Sequence, residues 1–207
     1  MLLSPTSPRH ADTPPSGWVV RWSHLLPTGG SVLDVACGSG RHMQWFAGRG
    51  HAVTGVDRSG DALRAASTFG ETLLADIEDG PWPFGGQYFD AVVVTNYLWR
   101  ARLPDIVAAV APGGVLLYET FAAGNETIGK PSRADFLLQP GELIAASTGL
   151  RVVAYEDGYE DGHPADHQGS HSHAPARFVQ RIAAIRPSAG PATPSGHRLL
   201  LRPLASQ

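Results

Sequence analysis

Ser31-Val32-Leu33-Asp34-Val35-Ala36-Cys37-Gly38-Ser39-Gly40 is the stretch on which the fold turns. Its first six residues make a compact apolar strand, ended by a glycine-rich turn. His42 to Gly48 then reads as a helix closed by Gly48 and Gly50. Gly38 and Gly40 lack Cβ atoms where the backbone must turn sharply and admit a ligand. The helix start beyond them offers unpaired N–H groups. A strand, a Gly-x-Gly turn and a helix together signal a nucleotide pocket. The dinucleotide fingerprint also needs a glycine or alanine three residues after Gly40, and that position is Met43. Asp34, at the strand end, suits a ligand carrying positive charge or hydroxyls better than a pyrophosphate.

Outward from this turn, strands and helices alternate. Trp18 to Leu26 is spaced as a short helix and stops at Pro27-Thr28-Gly29-Gly30. Strands are expected at Ala52–Val56 ending in Asp57, at Thr72–Ala75 ending in Asp76, at Tyr88–Thr95 and at Val115–Thr120. Helices are expected from Gly60 to about Phe69, N-capped by Ser59, and from Asp105 to Ala111. Pro112-Gly113-Gly114 turns the chain into the fifth strand. Continuous β-branched strands at this spacing imply an α/β, doubly wound, Rossmann-like sheet, parallel and covered on both faces. Its ligand crevice lies at the carboxyl ends of the strands. The rhythm then changes. A helix over Glu142–Ser147, with Pro140 near its first position, precedes two successive strands, Leu150–Tyr155 and Phe178–Ile185. These two form an antiparallel edge pair that completes seven strands.

Proline and glycine clusters make residues 1–17 a loose arm and 187–207 a loose tail, leaving one domain over 18–186. The 207-residue chain is 43% hydrophobic and holds 16 Lys and Arg against 19 Asp and Glu, a net charge of −3. With Lys130 as its single lysine and no basic block, it lacks the electrostatic footprint of sequence-independent nucleic-acid binding. No nucleic acid, no membrane and no obligate protein partner is therefore expected. The one cysteine, Cys37, excludes an intrachain disulfide and fits a reducing compartment. No apolar run approaches the roughly 20 residues of a transmembrane helix, and the start at Met1-Leu2-Leu3-Ser4-Pro5 has no signal-peptide pattern. A cytoplasmic protein is expected.

Leu33-Asp34-Val35-Ala36-Cys37-Gly38-Ser39-Gly40 resembles the first motif of class I S-adenosylmethionine-dependent methyltransferases, with Ala36 in place of the first glycine. Phe89-Asp90-Ala91-Val92-Val93-Val94-Thr95-Asn96 is similar to the family's fourth motif, and Ala111-Pro112-Gly113-Gly114-Val115-Leu116 to the turn before strand five. The first motif is especially similar to small tellurite-resistance-like methyltransferases. The resemblance implies S-adenosylmethionine as cofactor, held by Asp34, Ala36, Gly38, Gly40, Asn96 and Tyr97. It further implies Asp57 on the ribose hydroxyls with Arg58 by the adenine, and Asp76 on the adenine amino group with Ile77 against the ring. It also implies methyl transfer to a small-molecule acceptor. Two other readings stand beside it: a non-catalytic cofactor-binding or metal-binding scaffold, and a nicotinamide-dependent oxidoreductase, which Met43 disfavours.

The residues themselves carry several of these readings. Asp57 at a strand terminus accepts two hydroxyl hydrogen bonds, or instead caps the next helix. Asp76 either binds a ligand or belongs to an acidic surface loop. Trp18 and Trp22 either pack the first helix or line the pocket, and Tyr97 and Trp99 follow strand four where the crevice opens. Arg21 and Arg41 are candidates to pair with a carboxylate. Glu119 and Tyr97 are placed for a base role, with no catalytic residue assigned. Cys37 reads as a packing residue. Phe121 to Leu138 is expected to be a lid. The loop 156–176, with His163, His167, His171 and His173, reads as solvated rather than as a metal site.

Overall fold

The structure, a computed structural model, describes residues 13–162 and 175–188. Most of the expected arm and tail, and all four histidines of the 156–176 loop, lie outside the described residues. Twelve elements run in the order α1 (Gly17–Trp22), β1 (Ser31–Val35), α2 (Arg41–Ala47), β2 (Ala52–Asp57), α3 (Gly60–Ala66), β3 (Glu71–Leu74), β4 (Phe89–Thr95), α4 (Leu103–Ala108), β5 (Val110–Phe121), α5 (Glu142–Ala146), β6 (Arg151–Glu160) and β7 (Arg177–Ile185). Short 3-10 turns join several of them.

The seven strands form one sheet in the order β3-β2-β1-β4-β5-β7-β6. The first five are mutually parallel. β7 enters antiparallel between β5 and β6. The expected α/β, Rossmann-like doubly wound architecture is therefore what the chain forms. Side-chain alternation explains why its strands read as unbroken apolar runs. Val32, Ala91, Val93, Val115 and Leu117 face a core shared with Trp18, Trp22, Met43, Phe46 and Leu63. Leu33, Val35, Val92, Val94 and Leu116 face the opposite core with Ile106 and Leu143. Asp34 shares the parity of Val32, so its carboxyl group points beneath α2.

Several boundaries differ from expectation. The helix after Ser59 ends at Ala66, and Ser59 Oγ does accept from Ala62 N–H at its start. α4 starts at Leu103 because Pro104 suits its first turn, where no intrahelical N–H is needed. Pro140 is not at the start of α5. Gly141, with φ +75°, forms the cap instead. Pro112-Gly113-Gly114 lies within the extent of β5, where the pairing with β4 shifts between Phe89 and Ala91. β6 continues past Tyr155 to Glu160 because its ladder with β7 persists that far. No helix among the described residues is long and apolar enough to cross a membrane.

Candidate active site

Two adjoining hollows open at the carboxyl ends of β1, β2 and β4. The smaller, of about 120 Å³, is lined by Ala36, Val56, Asp57, Arg58, Ala75, Asp76, Ile77, Glu78 and Tyr97. The larger, of about 660 Å³, takes in Ala36, Gly38, Ser39, Arg41, His42, Thr95, Asn96 and the α3 face at Ala62 and Ala65. Ala36 lies on the ridge between them. Of the residues singled out in the sequence, Asp57, Arg58, Asp76, Ile77 and Tyr97 meet in the smaller hollow, and Gly38 and Asn96 in the larger. Asp34 and Gly40 line neither. Asp34 is buried under the loop, and Gly40 caps α2 with φ +85°, where a Cβ would stand 3.0 Å from Ala66.

Asp57 anchors backbone on both sides of its strand end, while the capping of α3 falls to Ser59. Asp57 Oδ2 accepts from Gly38 N–H at 2.8 Å and its Oδ1 from Ser59 N–H at 2.8 Å. A carboxylate oxygen accepts more than one bond, so this carboxylate organises the loop and still faces the hollow. Asp76 likewise accepts from Glu78 N–H at 2.9 Å, shaping its loop while lining the same hollow. That loop is pinned from below by Arg102, which donates to Ile77 O at 2.6 Å and to Asp105 at 2.8 Å. Nothing in the local pattern singled out Arg102. Tyr97 is fixed by Tyr118, whose hydroxyl donates to Tyr97 O at 2.8 Å. Burial pushes the Tyr97 phenol up, and Glu78 adds to the shift.

Asp34 is 1% exposed, and its Oδ2 has no hydrogen-bond partner among the described residues. Burial raises its carboxyl to about 7, against the pull of Arg41 and with a further push from Asp57. His42 Nδ1 lies 3.9 Å from that oxygen. Ser16 N–H donates to His42 Nε2 at 3.1 Å, so the ring proton resides on Nδ1. Burial, helped by Arg41, lowers His42 to about 3, which keeps the imidazole neutral. His42 escaped the sequence reading. Its position in the first turn after Gly40 was the signal that could have found it.

Other expectations are corrected. Glu119 is no free base. Its buried carboxylate accepts from Ser16 Oγ at 3.1 Å and pairs with Arg177 at 3.2 Å and Arg181 at 2.6 Å. Tyr97 sits in the smaller hollow, away from the larger cleft. Trp18 and Trp22 are core residues, Trp18 Nε1 donating to Ile182 O at 3.1 Å. Arg21 lies over Trp22 and pairs with Glu156, whereas Arg41 lines the larger cleft. Cys37 is buried with its thiol pushed up by burial, and its sulfur faces Gly55 beneath the loop. No residue of 121–138 lines either hollow. That segment closes instead on β7, where Phe178 N–H donates to Asn125 Oδ1. Among the described residues, no group of three or more His, Cys, Asp or Glu side chains is placed to hold a metal ion.

Residues 32–114 match the family model of a methyltransferase domain. The resemblance carried by the glycine loop is thereby borne out. A malonyl-[acyl-carrier protein] O-methyltransferase of Serratia marcescens is 34% identical over 106 residues, which are 47% of this chain and 40% of that one. A tRNA U34 carboxymethyltransferase of Klebsiella pneumoniae is 32% identical over 128 residues, 54% of this chain and 38% of that one. The chain thus spans about two-fifths of the curated relatives it matches. The structure of TehB from Haemophilus influenzae shares the fold, with a TM-score of 0.62 and 21% identity over 82% of this chain and 61% of that one. The expected exclusion of nucleic acid finds no support in these comparisons, because one relative is named for a tRNA.

Proposed function

We propose that this chain is an S-adenosylmethionine-dependent methyltransferase acting on a small-molecule acceptor. The observation that carries the reading is the pair of hollows joined at Ala36, one lined by the carboxylates Asp57 and Asp76, the other by the glycine loop at Gly38 and Ser39 and by Arg41. The donor set fits the cofactor. Asp34 Oδ2 is an orphaned acceptor beneath the loop. At Gly38, with φ +55°, a Cβ would meet no protein atom and would occupy the mouth of the cleft. Asp57 and Asp76 are the residues to accept hydroxyl and amino donors. Ile77 and Arg58 supply the walls beside the base, and Arg41 the cation for a carboxylate. When bound, the cofactor supplies an electrophilic methyl group on a sulfonium.

The chain's own contribution is orientation. The cleft-lining residues offer no available strong base: His42 is neutral with Nε2 occupied, and Asp61 pairs with Arg64 at 2.7 Å. Transfer therefore relies on an acceptor that arrives as a nucleophile, such as a thiolate or an oxyanion, aligned for in-line attack. Met43, standing where the dinucleotide fingerprint needs a glycine or alanine, speaks against the nicotinamide alternative. This side chain is fully buried, and its sulfur would stand 2.4 Å from a Cβ at Gly55, so here close contact between α2 and β2 depends on Gly55. The proposed domain spans 18–186, and the single buried cysteine suits the cytoplasm.

Calorimetry with S-adenosylhomocysteine, with NAD as the comparison, tests the reading. Binding of the first and not of the second supports it, and indifference to S-adenosylhomocysteine at millimolar concentration rejects it. An acceptor screen follows, and tight binding with no turnover across a broad panel would favour the scaffold alternative.

A further inference from the structure

The segment that leads into α1 reaches the larger cleft. Thr13 lines the cleft directly. Pro14 O accepts from Arg41 Nη1 at 3.3 Å, while Arg41 Nη2 donates to Thr95 Oγ1 at 3.3 Å, so one guanidinium ties the segment to the tip of β4. Ser16 is buried. Its N–H donates to His42 and its Oγ to Glu119, and the same Oγ accepts from Trp18 N–H to cap α1. Glu119 is itself immobilised by Arg177 and Arg181. Pro14 and Pro15 restrict φ on either side of the Arg41 tie. A short, stiff, three-point attachment of this kind positions a side chain as a rigid element does.

We infer that Thr13–Ser16 form the acceptor-side wall of the cleft, with Thr13 as its specificity-determining residue and Ser16 as the positioning residue that sets the wall in place. The inference rests on the methyl-transfer reading for the word acceptor; the wall itself rests on the contacts above. The described lining residues of this cleft include no Phe, Tyr or Trp. Thr13, Ser39, Thr95, Asn96 and Arg41 present hydroxyl, amide and cationic groups beside the apolar Ala36, Ala62 and Ala65 and the carboxylate of Asp61, a mixed lining that fits a small acceptor with both polar and apolar parts.

The test measures passage past the wall. In an Ala65→Cys, Cys37→Ala background the introduced thiol lies on the cleft and is the only thiol, since Cys37 also lines that cleft, and amide exchange in β1 and β4 reports any general opening. Alkylation is followed with N-ethylmaleimide and with the bulkier fluorescein maleimide, and the ratio of the two rates cancels the thiol's intrinsic reactivity. Thr13→Trp is expected to slow the bulky reagent at least about fivefold while changing the small one less than about twofold. Ser16→Ala is expected to speed the bulky reagent about tenfold, through loss of the Glu119 bond and the cap. Equal rate ratios in the parent and both variants, or no reaction in any of them, overturn the inference. Because Ser16→Ala also weakens α1, faster amide exchange in β1 and β4 disqualifies that variant, and Thr13→Trp then decides alone. Protection of the introduced thiol by S-adenosylhomocysteine is scored separately. Its absence would sink the cofactor reading while leaving the wall to be judged by the ratios.

Discussion

The N–H of Gly38 donates to Oδ2 of Asp57 over 2.8 Å, so the carboxylate that ends β2 holds the glycine loop that ends β1. The second oxygen of the same group takes Ser59 N–H and sets the start of α3. The glycine loop, 19 residues upstream, and the adjoining start of α3 thus depend on one side chain. Asp57→Ala removes both anchors together with the proposed hydroxyl acceptor. Affinity for S-adenosylhomocysteine is expected to fall about 100-fold or more, because each charge-assisted bond contributes about 1.5–3 kcal/mol. Asp57→Asn keeps an acceptor oxygen and is expected to lose less. Calorimetry on both variants checks the order, and equal affinities for Asp57→Ala and the parent would refute it.

Asp34 titrates near neutrality before anything binds, because burial outweighs the pull of Arg41 and of the backbone hydrogen bond from Met43, and its Oδ2 has no hydrogen-bond partner among the described residues. An ammonium group brought against it favours the ionised form. Binding of S-adenosylhomocysteine at pH 7 is then expected to release about half a proton. The affinity should rise between pH 6 and 8 and level off beyond. Calorimetry in buffers of different ionisation enthalpy measures the release directly. Asp34→Asn should abolish it; an unchanged release in that variant would show that the proton comes from elsewhere.

Folding also exchanges protonation between two neighbours. Unfolded, at pH 5, Asp34 is ionised and His42 is protonated. Folded, Asp34, raised to about 7, holds a proton, and His42, lowered to about 3, has none. The raised carboxyl contributes stability that is full below its unfolded value of 3.8 and is lost as pH rises through about 7. The lowered imidazole acts oppositely, its contribution full above its unfolded value of 6.5 and lost as pH falls toward about 3. Between roughly pH 4 and 6.5 the two slopes, each at most about 1.4 kcal/mol per pH unit, cancel. Urea denaturation across this window should show stability falling with rising pH in His42→Gln and rising with pH in Asp34→Asn. Parallel pH profiles in the two variants would contradict the assignment.

Arg102 holds the adenine-side loop by two backbone carbonyls, of Ile77 and Gly80, and lies outside the cleft that would take the acceptor. Arg102→Ala is expected to weaken S-adenosylhomocysteine binding about tenfold through loss of charge-assisted hydrogen bonds. Amide exchange should accelerate in residues 76–80 and stay unchanged in the loop at 36–40. Uniform acceleration in both loops would mean general destabilisation instead.

Much of the architecture was legible because it depends on local pattern. The β1 run and its glycines placed the first strand and turn, and the run ending in Asp57 placed β2, whereas Asp76 lies two residues beyond the end of β3 at Leu74. The helix after Ser59 was placed but drawn too long, since Ser67 N–H still donates to Leu63 O while Thr68 and Phe69 turn to the tighter acceptors Ala65 O and Ala66 O. The 121–138 segment was misassigned as a cover because glycine and proline content reports a loop, never the surface it lies on. Glu119 looked available because its three partners, Ser16, Arg177 and Arg181, are remote in the chain.

Apolar periodicity and turn chemistry act between near neighbours, so they were enough to establish a parallel α/β sheet, a glycine loop at its switch point and acids at its strand ends. Which groups stay ionised, which carboxylate is spent in an ion-pair network, and which segment walls the larger cleft were decided only when distant residues met. Burial and charge pairing depend on distances and on exclusion of water, and neither exists until the chain has folded. Asp34 shows the difference: its place at the end of β1 could be read from ten residues, but its raised carboxyl needs the burial and the neighbouring charges that only folding provides.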